Sequence, residues 1–401
     1  MVSFYFNMKS VVKIAFYCLS LILSGVFVSC SSSDEPDKNL PAEKERLILL
    51  YAIAANNLEN NLKSDLREIL DSASVYNLRN NTLLVYSVVN TGECVLQQLK
   101  KDGSGKAYFE TIKEYPELPL STDPERIREV MEYVDENFDY SNKGLILWSH
   151  SDAWLPWFLG SNPDMDKRRS FGLDNFEGGT YKTNIGELAE AIPAGMFDFI
   201  WFDCCYMANI ETLYQLRDKT KTIVASVLEI YMDGMPYDIT MPKLLRKNPD
   251  LTAAARAFFD YYNAPNRSIA VSISVIDTKY LQDLAYAAGD IVKNATPPSS
   301  VKDVQDYSRC TVTMNGIRTH MGFYDMKQLL ESFQGVDLQM SRNLDEAFKK
   351  AVTAKWISNY DFSRKPINQT NYSGLSMSAF WSLDQTYGDF YGSLEWAEAI
   401  N

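Results

Sequence analysis

Three short, dense and mainly apolar runs constrain how this chain can fold: Leu47-Ile48-Leu49-Leu50-Tyr51-Ala52-Ile53, Gly144-Leu145-Ile146-Leu147-Trp148-Ser149 and Phe197-Asp198-Phe199-Ile200-Trp201-Phe202, the last broken only by Asp198. Each is too short for a buried helix. None alternates in the way of a strand with one wet face, so each reads as a parallel strand covered on both sides. Helical patterns separate them, expected over 58–73, 121–138, 185–192 and 207–216, with further strands over 82–89 and 222–227 and a hairpin at Asp102-Gly103-Ser104-Gly105. The helix near 121 is announced by Ser121-Thr122-Asp123-Pro124-Glu125, an N-cap followed by proline in the first turn. Strands alternating with amphipathic helices predict an α/β fold with a mostly parallel sheet between helical layers. Ligands of such sheets sit beyond the carboxyl ends of the strands. Residues 151–181 carry no usable periodicity and are expected to be loop. Beyond 241 the pattern predicts helices over 251–262, 281–293, 324–332 and 344–354, and strands over 269–276 and 374–378.

The first thirty residues stand outside this pattern. Lys9 and Lys13 precede an apolar stretch over 14–28 that is too short to span a bilayer as a mature helix, which predicts a signal peptide over 1–29. The stretch stops at Val28-Ser29-Cys30, small residues before a cysteine as in a bacterial lipobox. Cys30 is therefore expected to carry lipid after cleavage, giving an exported chain anchored to the outer membrane; a plain secretory signal with an incidental cysteine is the alternative. Ser31-Ser32-Ser33-Asp34-Glu35-Pro36-Asp37-Lys38 holds nothing to bury, so 30–45 is expected to be a tether. The folded part is then 46–401, read as a catalytic sheet core over 46–240 with 241–401 packed on it.

A net charge of −13 supplies no basic face for phosphates, which argues against a nucleic-acid partner. With only two histidines, His150 and His320, a zinc site built on several histidines is nearly excluded and no cofactor is expected. Asp164, Asp166 and Asp174 offer oxygen ligands but lack the glycine and terminal glutamate of a calcium loop, so no metal site is predicted. Setting aside Cys18 and Cys30, the cysteines are Cys94, Cys204, Cys205 and Cys310, too few for a disulfide scaffold.

His150 and Cys205 each end a predicted buried strand, so both side chains should reach one rim of the sheet. A thiol is the strongest nucleophile among ordinary side chains, and a nearby imidazole can take its proton and return it to a leaving amine. A cysteine closing an apolar strand is more often a small buried hydrophobe. What favours chemistry is the joint placement of the two.

Leu50-Tyr51-Ala52-Ile53-Ala54-Ala55-Asn56-Asn57-Leu58-Glu59, Leu145-Ile146-Leu147-Trp148-Ser149-His150 and Phe202-Asp203-Cys204-Cys205-Tyr206-Met207 resemble, in turn, the opening strand and turn, the histidine strand and the nucleophile motif of the clostripain peptidases. Asp233-Gly234-Met235-Pro236-Tyr237 is similar to that family's pocket segment, and Gly374-Leu375-Ser376 to its late strand. The resemblance implies a caspase-haemoglobinase-like α/β/α sandwich and a cysteine endopeptidase with Cys205 as nucleophile and His150 as its partner. It also implies an oxyanion held by the backbone N–H groups of Ser151 and Cys205, and cleavage after Arg or Lys with Asp233 or Asp203 as the pocket carboxylate. Such enzymes often cut themselves between histidine and nucleophile, where Lys167-Arg168-Arg169 lies. The tether, serine then acidic, resembles the surface-export signal of Bacteroidetes lipoproteins. Ser151 departs from the glycine usual after the histidine, and would be strained if that position demanded a positive φ. The competing reading is an inactive surface lipoprotein that keeps the fold as a peptide- or glycan-binding module.

Overall fold

The computed structural model describes residues 44–156, 170–314 and 317–401. The expected signal peptide, Cys30, the tether up to residue 43 and the Lys167-Arg168-Arg169 cluster lie outside the described residues. From the amino end, strand β1 (Arg46–Ala54) leads through helix α1 (Glu59–Ser72) to β2 (Asn81–Val89), and a hairpin follows, β3 (Cys94–Lys101) and β4 (Ala107–Tyr115). Helix α2 (Pro124–Asn137) then precedes β5 (Lys143–Trp148), a small hairpin β6 (Phe171–Phe176) and β7 (Gly179–Thr183), and α3 (Ile185–Ala191). Next come β8 (Phe199–Asp203), α4 (Ile210–Gln215), β9 (Thr222–Ala225), α5 (Tyr237–Leu244), α6 (Leu251–Asn263), β10 (Ser272–Asp277) and α7 (Leu281–Asn294). The chain closes with a hairpin β11 (Thr311–Met314) and β12 (Ile317–His320), then β13 (Phe323–Asp325), α8 (Met326–Glu331), α9 (Leu338–Ala351), β14 (Val352–Ile357), β15 (Ser376–Ser378), α10 (Gln385–Gly392) and α11 (Glu395–Ile400).

Nine strands form one sheet in the order β14-β10-β9-β8-β5-β1-β2-β3-β4. The five central strands, β9 to β2, run parallel, while β10 and β14 on one edge and β3 and β4 on the other are antiparallel additions. This is the mixed α/β fold that the apolar runs imply. Leu47, Leu49, Tyr51 and Ile53 face one helical layer; Ile48, Leu50, Ala52 and Ala54 face the other. All nine residues of β1 are buried, which is why its sequence shows no alternation. The sheet does not end at residue 240, since β10 and β14 both come from the carboxy-terminal part.

Four local expectations need correction. The stretch expected to be loop contains the β6–β7 hairpin, turned by Gly178 at φ 78°. Helix α4 begins at Ile210 rather than 207, because Asn209 caps it by accepting from the Thr212 N–H. The helix expected over 344–354 stops at Ala351, and Val352–Ile357 pairs as a strand with β10. Helix α5 was not anticipated, because Pro242 sits inside it.

The chain visits β1 and β2, then returns to the far side of β1 for β5 and moves outward through β8 and β9. The order therefore reverses between β1 and β5. A crevice opens at the carboxyl ends there, where neighbouring connections leave in opposite directions.

Candidate active site

Register brings the two sequence-selected residues to this crevice. Trp148 of β5 lies opposite Asp203 of β8, and His150 and Cys205 each stand two residues beyond that pair. Both border the same cavity of about 320 Å³, whose walls include Trp148, Asp203, Tyr231 and Gly234.

The histidine is held by the turn after β1. Asn56 fixes that turn, its amide donating to Ile53 O and Leu173 O while its Oδ1 accepts from the Leu58 N–H. The next residue, Asn57, presents Oδ1 to His150 Nε2 at 2.9 Å. Ser149 ties the end of β5 to β1 by donating to Ile53 O at 2.8 Å. Burial first, then the Lys182 ammonium, hold the imidazole below its ordinary pKa, with Asp152 opposing. At neutral pH it is therefore a neutral base.

Cys204 and Cys205 point opposite ways. Cys204 is buried, with its thiol 3.6 Å from Leu147 O. Cys205 is only partly buried, and its sulfur accepts from the Ile230 N–H at 3.4 Å. Burial, with Glu229 and Asp152 adding to it, pushes the Cys205 thiol up to about 12 against that N–H. The resting pair is thus thiol and imidazole, and among the described residues no hydrogen bond joins them. Catalytic hydrogen bonds often tighten only when substrate is present.

After Cys205 the chain turns sharply, with Tyr206 at φ 63°. A non-glycine residue held there costs about 1–3 kcal/mol. The surroundings enforce it: the Tyr206 N–H bonds Leu228 O and its ring packs edge-on to Phe323. With α4 starting only at Ile210, no helix begins at the sulfur, and the Ile230 N–H is the donor that faces it.

Ser151 is buried and its hydroxyl donates to Cys205 O at 2.6 Å, joining the ends of β5 and β8. Its own φ is not positive; the left-handed residue in this loop is Ala153, at 53°. Ser151 faces Phe171 in an antiparallel bridge whose hydrogen bonds are made by the flanking residues, Gly172 N–H to His150 O and Asp152 N–H to Ser170 O. The Ser151 N–H therefore points away from Phe171.

Of the two carboxylates expected at the pocket, Asp203 lines the cavity and Asp233 does not, its side chain being exposed. Asp203 is buried; Oδ2 accepts from the Met235 N–H at 2.9 Å and the Tyr237 hydroxyl at 3.1 Å, while Oδ1 has no partner. Burial raises its pKa to about 6. A second buried carboxyl, Asp65 of α1, accepts from the Trp148 indole N–H at 2.9 Å and is pushed up to about 9 by burial and then by Asp203. Gly234, at φ 61°, separates the two: a Cβ there would lie 2.9 Å from Asp203 Oδ2 and 3.3 Å from Asp65 Oδ2. Among the described residues neither carboxylate has a cationic partner. Arg309 reaches the cavity from the carboxy-terminal part and pairs with Glu229. Among the described residues no cluster of three or more ligands suits a metal ion.

Asn57, Asp65, Glu229, Ile230 and Arg309 were not singled out in the sequence. Asn57 stood inside the first family-like segment, a usable signal. The others are ordinary residues whose importance comes from the sheet order.

The family model of the clostripain peptidases (C11) matches residues 50–397. No curated protein matches the chain. Among solved structures, a secreted C11 cysteine protease from Bacteroides thetaiotaomicron, in complex with an irreversible peptide inhibitor, is 26% identical with a TM-score of 0.74, over 89% of this chain and 99% of that one. An inactive zymogen C11 protease from Parabacteroides distasonis is 25% identical with a TM-score of 0.74, over 90% of this chain and 99% of that one. A further secreted C11 protease from B. thetaiotaomicron, 21% identical with a TM-score of 0.72 over 90% of this chain and 100% of that one, shares the fold.

Proposed function

Since the chain belongs to the clostripain family and is a cysteine peptidase, we propose that it is an endopeptidase using Cys205 and His150 to cleave after Arg or Lys. The observation that carries the basic preference is Asp203, which lines the cavity that His150 and Cys205 border and whose buried Oδ1 has no partner. A carboxylate oxygen taken out of water without a partner favours any ligand that brings a cation to it.

In the proposed reaction the substrate's basic side chain enters the cavity and pairs with Asp203, bringing the scissile carbonyl over the Cys205 sulfur. His150 takes the thiol proton as sulfur adds to the carbonyl carbon, and the Ser151 and Cys205 N–H groups hold the oxyanion. The C–N bond breaks as His150 returns that proton to the leaving amine. A water, deprotonated by His150, then releases the acyl group and restores the thiol. Asn57 positions the imidazole throughout. Asp233 stands outside the cavity wall and is assigned a secondary part in attracting cationic substrates to the rim.

The reading extends to the ends of the chain. The leader over 1–29 and Cys30 support export with a lipid anchor at the outer membrane, the segment over 30–45 is the proposed tether between that anchor and the peptidase domain over 46–401, and Lys167-Arg168-Arg169 is the proposed self-cleavage segment.

The deciding test is hydrolysis of fluorogenic peptides ending in Arg, Lys, Asp or Ala by the chain lacking residues 1–30. Turnover after Arg or Lys that disappears in Cys205→Ala and persists in Cys204→Ala is expected. A folded chain that cleaves none of them, with Cys205 unreactive to peptide electrophiles, would instead favour a peptide-binding module.

A further inference from the structure

Beyond Tyr231 and Phe362, which wall the main cavity, a second cavity of about 190 Å³ opens between the loops carrying Arg267 and Arg364. We propose that this second cavity is a substrate subsite for an acidic side chain, read by Arg267 and Arg364 together. The proposal deepens the endopeptidase reading above and rests on it.

Both guanidinium groups lie over aromatic rings at exposed positions. That of Arg267 lies 3.8 Å from the centroid of the Tyr261 ring, and that of Arg364 lies 4.4 Å from the Tyr360 ring. Stacking on a ring limits the motion of the side chain but leaves the N–H edges free. Among the described residues neither arginine forms an ion pair, in a chain whose net charge is −13. Five other arginines of the described residues find carboxylates, among them Arg46 with Asp198 and Arg256 with Asp260.

The loops are also tied together. The Tyr360 hydroxyl donates to Ser268 O at 3.0 Å. Ser268 and Arg364 are both left-handed, at φ 49° and 62°. Asp361 also lines this cavity, but it is buried and its Oδ1 accepts the Ser363 and Lys365 N–H groups, at 2.8 and 2.9 Å, so it serves the turn that presents Arg364. Two planar donor forks around a cavity of side-chain size suit a carboxylate.

An extended peptide advances about 3.3 Å per residue with alternate side chains on opposite faces. A substrate whose basic residue fills the main cavity therefore carries a nearby residue past Tyr231 and Phe362 into the second one. Preferred substrates thus combine a basic residue at the cleaved bond with an acidic residue a short, fixed distance away.

The test is a set of Arg-containing peptides in which Glu, Gln and Lys are moved through each position flanking the cleaved bond. At one position Glu should raise kcat/KM over Gln by about tenfold, the scale of a charge-assisted carboxylate contact, and added salt should shrink the ratio. Arg267→Gln with Arg364→Gln should erase the preference while leaving the Gln peptide unchanged, and Arg267→Glu with Arg364→Glu should turn it toward Lys. Equal rates for Glu and Gln at all positions would overturn the subsite and leave the peptidase reading intact. Titrating the same peptides into the Cys205→Ala chain reads the preference as a binding ratio, so the subsite is decided even if nothing is cleaved; equal affinities there would reject it.

Discussion

His150 Nε2 lies 2.9 Å from the Oδ1 of Asn57, a residue that reaches it from the turn after the neighbouring strand rather than from its own. The contact crosses the point where the strand order reverses, so the sheet topology itself orients the imidazole.

Replacing Asn57 by Ala should therefore lower kcat by about ten- to a hundredfold, as for other groups that position a general base, with little change in KM. Asn57→Asp discriminates positioning from mere support. A carboxylate beside the ring stabilises imidazolium and raises the His150 pKa, so the acid limb of the kcat profile should move to higher pH. An unshifted limb would remove Asn57 from this role.

Asp203 must be ionised to receive a cation. With its pKa raised to about 6, kcat/KM on Arg and Lys peptides should fall as the pH drops below about 6. Asp203→Asn should reduce that dependence to the His150 limb that uncharged peptides also show, and raise KM for basic peptides by at least about tenfold, leaving uncharged peptides nearly unaffected. Steady-state kinetics on paired Arg and citrulline peptides measure both.

The Cys205 thiol, raised to about 12, and a neutral imidazole predict slow alkylation of the free enzyme by iodoacetamide at pH 7, rising about tenfold per pH unit. A peptide-based electrophile that fills the main cavity should react far faster. Comparable rates for the two reagents would point to a preformed thiolate instead.

Asp65 links the site to stability. Its folded-state pKa, about 9, is well above the value of 3.8 for a free carboxyl. Above pH about 4 the unfolded chain ionises Asp65 while the folded chain keeps the proton, so its contribution to stability is complete below that pH and is lost progressively until the folded group ionises near 9. Thermal melts should show Tm falling by a few degrees from pH 5 to 9, and Asp65→Asn should flatten the trend.

Gly234→Ala adds a Cβ at a left-handed position, 2.9 Å from Asp203 Oδ2. Strain and crowding together should destabilise the chain by about 1–3 kcal/mol and weaken binding of basic peptides, read by denaturant unfolding and KM. A stable variant with unchanged KM would show that the wall moves freely.

Much of this protein was legible in its residues because burial on both faces writes itself into sequence as continuous apolar runs. β1, β5 and β8 were found that way, and with them the strand ends that carry His150 and Cys205. The turn of Tyr206 was not legible, since Leu228 and Phe323, distant in the chain, impose it; the Asn209 cap of α4 and the Gly178 turn between β6 and β7 are local signals that the periodicity of apolar residues does not reveal.

The sequence by itself determined the fold class, the family and the pair of residues on which the chemistry is proposed to rest, because these follow from local patterning and from residue types that few other functions need. The tertiary structure decided which carboxylate lines the cavity, that Asn57 holds the imidazole, and that Arg267 and Arg364 flank a second cavity. Those relations join residues far apart in sequence, and only the order and register of the strands fix their distances.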